Sequence, residues 1–176
     1  ATSFEVTRFR EEAQVIAGLQ HPHIVQIYEI GETEGQPFIA LELIEGGSLS
    51  QLLAEGPFPP RAAAALLEKI ARAIHYAHQQ GVIHRDLKPQ NILIHRWPVP
   101  QDDQALVRGP HLADGPNRNS DDLWPKVSDF GLAKRLDAVG LTQTGEIVGT
   151  PSYMAPEQAR GERPVHSPAV DVYGLG

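Results

Sequence analysis

The eight residues His84-Arg85-Asp86-Leu87-Lys88-Pro89-Gln90-Asn91 constrain this chain more than any other stretch. They hold a carboxylate, an ammonium group and a carboxamide within a few peptide units, and the apolar run Ile92-Leu93-Ile94 follows directly. Groups of these three types, held that close, can orient a hydroxyl, neutralise a phosphate and ligate a metal ion. A second carboxylate arrives at Asp129-Phe130-Gly131, in a Gly-terminated turn after Lys126-Val127-Ser128. Any one of these residues alone has a duller reading, since a lone Asp in a loop is usually a turn or cap residue. Their order and spacing carry the information.

The rest of the chain supplies a scaffold. Its 176 residues are enough for one domain with a core, and 41% hydrophobic with 21% charged residues is ordinary for a soluble globular protein. A net charge of −7 argues against nucleic acid as a partner, and the absence of cysteine excludes disulfides and thiolate metal sites. No apolar run is long enough to span a bilayer.

Phe9, Ala13, Ile16 and Leu19 recur at helical spacing and predict a helix over 7–19, stopped by His21-Pro22. Glu11 and Glu12 lie on it and, by pattern alone, read as a solvated face. Residues 24–30 predict a strand, 31–36 a turn, and 38–44 a second, buried strand. Ser48 and Gln51 have capping-box spacing and open a short helix ending near Gly56; residues 57–60 form a connector. A long Ala-rich helix covers 61–80, with Leu66, Ile70, Ala73, Ile74 and Ala77 on one face and Gly81 at its end. His75 and His78 lie on it with no third metal ligand nearby in sequence, so packing or hydrogen bonding is their expected role. Val82-Ile83, Ile92-Leu93-Ile94 and Lys126-Val127-Ser128 read as short strands, residues 96–125 as a polar loop, and residues 171–176 as the start of a helix.

With Ala155-Pro156-Glu157 further on, the two motifs match without a gap the His-Arg-Asp-Leu-x-x-x-Asn and Asp-Phe-Gly pair of protein kinases. The chain resembles the eukaryotic-type protein kinases, in a bacterial-looking form. The resemblance implies an α+β, two-lobed fold in incomplete form. Residues 1–41 would belong to the small lobe without its first strands and 42–47 to the hinge. Residues 48–176 would form part of the mainly helical large lobe, without its C-terminal part, and residues 96–125 would be a loop insertion. The cofactors implied are ATP and Mg²⁺. Asp86 is expected to act as base, Lys88 to contact the transferred phosphate, and Asn91 and Asp129 to ligate the metal. Leu41 would guard the back of the adenine pocket, Glu42, Leu43 and Ile44 would form the hinge, and Leu93 would floor the ring.

Lys88-Pro89 and the 149–157 segment resemble Ser/Thr-specific members, so the implied substrate is a protein hydroxyl. Thr150 matches the residue that contacts the catalytic Asp and Lys. Arg85 would bind a phosphate on the activation segment, which makes Thr142 or Thr144 a phosphorylation site and a second copy of the chain a partner in trans-autophosphorylation. Glu12 matches the Glu that pairs with the ATP-binding Lys, against its reading from helix pattern alone. Asp171 matches the buried Asp that holds the catalytic-loop backbone, and Glu157 one that pairs with an Arg beyond Gly176.

No Gly-rich loop and no strand bearing the ATP-binding Lys stand in these residues, so the 176-residue piece by itself is expected to be inactive or nearly so. A location on the cytoplasmic side is expected for the domain, with membrane anchoring of a longer parent left open. The rival readings are a pseudokinase-type binding or scaffold module and a small-molecule phosphotransferase. Intact Asp86, Lys88, Asn91 and Asp129 speak against the first, and the long segment ending in Ala155-Pro156-Glu157 against the second.

Overall fold

The computed structural model describes residues 13–33, 36–96, 123–130, 151–160 and 167–176. Its elements are β1 (Ile27–Thr33), β2 (Gln36–Leu41), α1 (Leu49–Ala54), α2 (Pro60–Gln79), β3 (Ile92–Arg96), β4 (Leu123–Val127), α3 (Pro156–Ala159) and α4 (Ala169–Leu175). Residues 13–17 form a further helical stretch. The strands make two antiparallel pairs, β1 with β2 and β3 with β4. The architecture is α+β, as expected. Among the described residues no helix is long and apolar enough to cross a membrane.

α2 organises the larger core. Its Ala62, Leu66, Ile70, Ala73, Ile74 and Ala77 are buried at spacings of three and four, the period that keeps side chains on one helix face. Pro60 sits at the first helical position, where its missing N–H costs nothing. Gly81, at φ +76°, ends the helix in a left-handed conformation that a Cβ would disfavour. Against this face pack Leu49 and Leu52 of α1, Leu87, Ile92 and Ile94 of β3, Leu123 and Val127 of β4, and Phe130. Burying each large aliphatic side chain contributes about 1.5–3 kcal/mol. A second, smaller cluster joins Ala13 and Ile27 with Ile30 and Ile39, between the 13–17 helix and the β1–β2 ribbon; Ile16 packs against both clusters.

α1 begins as its sequence predicts. The Ser48 hydroxyl accepts from the Gln51 amide at 3.4 Å and Gln51 Oε1 accepts from the Ser48 amide at 2.8 Å. Just upstream, β3 presses on the chain: the Ile94 amide donates to the Gly47 carbonyl at 2.8 Å. A Cβ placed on Gly46 would overlap the Ile94 carbonyl. Because the obstacle is backbone, it cannot swing aside. Gly46→Ala is expected to lower unfolding stability by about 1–3 kcal/mol, read as a reduced urea midpoint. An unchanged midpoint would show that β3 can retreat.

Several expectations are corrected. The strand foreseen at 24–30 is divided between two sheets. Val25 N–H donates to the Val127 carbonyl and Val127 N–H to the His23 carbonyl, both at 2.9 Å, so residues 23–25 run beside β4. Only from Ile27 does the chain pair with β2, with a bulge that leaves Tyr28 unpaired and 70% exposed. Pairing continues to Thr33↔Gln36, so most of the expected 31–36 turn is strand. The second strand is not buried and ends at Leu41: Phe38, Leu41 and Leu43 are 38%, 46% and 78% exposed. Its apolar run misled because, among the described residues, β2 pairs with β1 alone and Phe38 and Leu41 stay exposed.

Val82-Ile83 is not a strand. The Val82 amide closes the helix end on the Ala77 carbonyl, and the His84 and Arg85 amides are taken by a side chain, as described below. The loop expected over 96–125 narrows at both ends, because Arg96 pairs with Leu123 and Ile94 with Pro125. Pro125 is tolerated there because its carbonyl, not its absent N–H, is engaged, by the His23 ring at 2.8 Å. Trp124 on the same strand donates its indole N–H to the Pro22 carbonyl at 3.1 Å, and Lys69 of α2 donates to the Leu123 carbonyl at 3.0 Å.

Candidate active site

The end of α2 delivers the loop 82–88 to the foot of β3, and α4 holds it from below. Asp171 of α4 is fully buried, and its carboxylate takes three donors. Oδ2 accepts from the His84 amide at 2.8 Å and lies 2.7 Å from His78 Nε2; Oδ1 accepts from the Arg85 amide at 2.7 Å. Two consecutive N–H groups are thereby tied to one carboxylate across more than eighty residues of sequence. This anchorage holds Arg85 at φ +67°, a conformation costly for a residue with a Cβ and typical of functional sites.

Beyond Arg85 the functional groups converge. Lys88 is extended (φ −159°, ψ 160°) and leads into a 3₁₀ turn at Pro89–Asn91 opened by the proline. The turn folds Asn91 back, so that its Nδ2 donates to the Asp86 carbonyl at 2.8 Å and reaches Asp86 Oδ2 at 3.3 Å. Lys88 Nζ lies 3.0 Å from the same Oδ2. The Lys88 and Asp86 side chains are 16% and 19% exposed, enough to meet a substrate and buried enough to hold one arrangement.

The carboxamide nitrogen of Asn91 is spent on Asp86, which leaves its oxygen as the atom that could meet a cation. Ser128 brings the second carboxylate to this point: its amide and hydroxyl donate to the Asn91 carbonyl at 2.9 and 3.2 Å. Asp129 follows at φ +57°, exposed, beside buried Asn91. The β3–β4 register, with Ile92 opposite Val127, thus joins Asn91 to the turn bearing Asp129. One amide oxygen and one carboxylate form a hard donor set that fits Mg²⁺.

The role of His84 emerges only from the structure. It is fully buried, its ring 4.7 Å from that of Phe130. Nε2–H donates to the Ser128 carbonyl at 2.8 Å, and Nδ1 accepts the Asp86 amide at 3.3 Å, which together select the neutral Nε2–H tautomer. Burial is the largest influence on its pKa and holds it below the ordinary histidine value, against the bond to Ser128 and the charges of Asp171, Asp86 and Asp129. His21 and His23 shift the same way, again chiefly by burial. The unfolded chain therefore binds more protons than the folded one once the pH falls below about 6.5. Stability from these groups is complete above that pH and is lost as pH falls through it. The urea midpoint is expected to fall between about pH 7.5 and about pH 5.5. A flat midpoint over that window would exclude a neutral buried His84.

The remaining expected residues are placed as follows. Leu41 ends β2, and Glu42, Leu43 and Ile44 continue from it. Glu42 Oε2 accepts from the Gln26 amide at 3.1 Å and pairs with Lys126 Nζ at 2.7 Å. Lys126 is opposite Leu93 in the β3–β4 register, so Glu42 and Leu93 are brought to one place by one lysine. Glu157 lies in the first turn of α3, partly buried. Gln158 beside it, unassigned from sequence, donates to the Arg85 carbonyl at 2.8 Å. His78 bonds Asp171 and His75 bonds Gln79, the hydrogen-bonding role expected of them. Glu12, Thr142, Thr144 and Thr150 lie outside the described residues.

A family model for the protein kinase domain matches residues 2–176. Serine/threonine-protein kinase PknL of Mycobacterium tuberculosis is 39% identical over 172 residues, which are 97% of this chain and 36% of that protein. Serine/threonine-protein kinase PrkC of Bacillus subtilis is 37% identical over 172 residues, 97% of this chain and 22% of that protein. The crystal structure of Rad53 1–466 in complex with AMP-PNP matches with a TM-score of 0.64 at 28% identity, over 95% of this chain and 35% of that one. The chain therefore spans about a third or less of the length of these proteins.

Proposed function

The chain belongs to the protein kinase domain family, and from that premise we propose that the protein carrying it is a Ser/Thr kinase, transferring the γ-phosphoryl group of ATP to a protein hydroxyl. The observation that carries this reading is the convergence of Lys88 and Asn91 on the Asp86 carboxylate, with Asn91 bonded in turn to the residue before Asp129. The named relatives and the nucleotide analogue bound to Rad53 support it.

In this reading Asp86 orients the substrate hydroxyl and accepts its proton as the oxygen attacks the γ-phosphorus and ADP departs. Lys88, a compact point charge beside Asp86, neutralises the phosphate oxygens. The Asn91 oxygen and the Asp129 carboxylate would hold Mg²⁺, which would supply positive charge to neutralise the phosphates. Leu41, Glu42, Leu43 and Ile44 line the adenine on the hinge side, and Leu93 lies beneath it. Arg85 receives a phosphate carried by Thr142 or Thr144, placed there by a second copy of the protein. By the family resemblance Thr150 would contact Asp86 and Lys88, Glu12 would pair with the ATP-binding Lys, and Glu157 would pair with an arginine.

The test is transfer of labelled γ-phosphate from ATP by the full-length protein to itself and to a generic protein substrate. Label is expected on Ser and Thr and to depend on Mg²⁺. Tight Mg-ATP binding without transfer would instead favour the pseudokinase-type module.

A further inference from the structure

The peptide unit between Arg85 and Asp86 is held at both of its polar atoms. Its N–H, that of Asp86, meets His84 Nδ1 at 3.3 Å. Its carbonyl, that of Arg85, accepts Gln158 Nε2–H at 2.8 Å, from a residue 73 positions away. The other end of the same carboxamide is also fixed, since Gln158 Oε1 accepts from the Ala155 amide at 3.1 Å. Ala155 is fully buried, so this end is a firm post. The peptide on the other side of Arg85 is held by Asp171. With φ at +67°, Arg85 sits in a well it leaves readily unless its flanking peptides are restrained.

We infer that Gln158 is a positioning residue for Asp86. It fixes the Arg85–Asp86 peptide plane and couples it to the segment that precedes α3. The inference rests on the kinase reading above and deepens it. Both ends of the side chain are used in opposite senses, one as acceptor and one as donor. A residue of the right size but wrong hydrogen-bond pattern therefore cannot replace it.

Gln158→Glu in the full-length protein separates the donor from the shape. The glutamate still accepts from Ala155, but an ionised oxygen now faces the Arg85 carbonyl. At neutral pH kcat is expected to fall about ten- to a hundredfold, with the KM for ATP nearly unchanged, because Asp86 rather than the nucleotide site is displaced. Protonation of the carboxyl restores a donor, so activity relative to the wild-type protein at the same pH rises as pH is lowered. Gln158→Ala shows the loss without that recovery. A Gln158→Glu protein with wild-type kcat at neutral pH would overturn the inference. Amide hydrogen exchange judges it independently of catalysis. Gln158→Ala should exchange faster at Ala155, while the Ala159 and Arg160 amides of α3, bonded to the Ala155 and Pro156 carbonyls, keep their protection. If the wild-type protein transfers no phosphate, the kinase reading fails, and equal exchange at Ala155 in both proteins then rejects the clamp as well.

Discussion

Asp86→Asn in the full-length protein is expected to lower phosphoryl transfer by about 10²- to 10⁴-fold, the usual contribution of a positioned general base. Asparagine preserves the shape of the side chain and leaves the Asn91 bond to the backbone carbonyl of residue 86 untouched. It removes the proton acceptor and the charge beside Lys88. The Lys88 and Asp86 side chains are mostly buried, so removing the carboxylate charge should lower stability by about 1–3 kcal/mol, far less than the expected loss of rate. Kinetics and unfolding measured on the same variant therefore separate catalysis from folding. A binding or scaffold role would survive the substitution, and transfer at the wild-type rate would remove Asp86 from the chemistry.

Asp171→Ala should act on the fold itself. It leaves the His84 and Arg85 amides and the His78 ring without their shared acceptor in a fully buried site. Removing one partner of a buried charged network typically costs about 3–5 kcal/mol. Against a total stability of about 5–15 kcal/mol for an ordinary domain, that is a large fraction. The expected readout is a strongly lowered unfolding midpoint, with loss of the restraint that keeps Arg85 at positive φ. Asp171→Asn should be milder, since one oxygen can still accept from one of the two amides. A cost below about 1 kcal/mol for the alanine variant would mean that the loop is held elsewhere.

Which features were legible in the sequence follows from the range of the interactions behind them. The Ser48–Gln51 cap and the apolar face of α2 depend on residues three or four apart, and both stand as read. The grouping of Asp86, Lys88 and Asn91 spans six residues and was visible as a motif; the turn at Pro89–Asn91 closes it. The strands fared worse. Residues 24–30 carry one β-like pattern, yet the chain changes partner between Val25 and Ile27, and alternation names no partner. Phe38, Leu41 and Leu43 look like core by composition and are exposed by position. The roles of His84 and Gln158 are not legible in the sequence because their partners, Ser128 and Arg85, lie 44 and 73 residues away.

The sequence by itself determined the identity of the chemical groups, their local order and the helices that carry them, because capping, periodicity and turn chemistry are short-range. Only the tertiary structure decided how those groups are held. It set the β3–β4 register that joins Asn91 to the turn of Asp129, buried Asp171 beneath two loop amides, and placed Gln158 against the peptide that bears Asp86. Each of these is a hydrogen bond between residues far apart in sequence. Such bonds exist once the core of α2, β3 and β4 has brought their elements together.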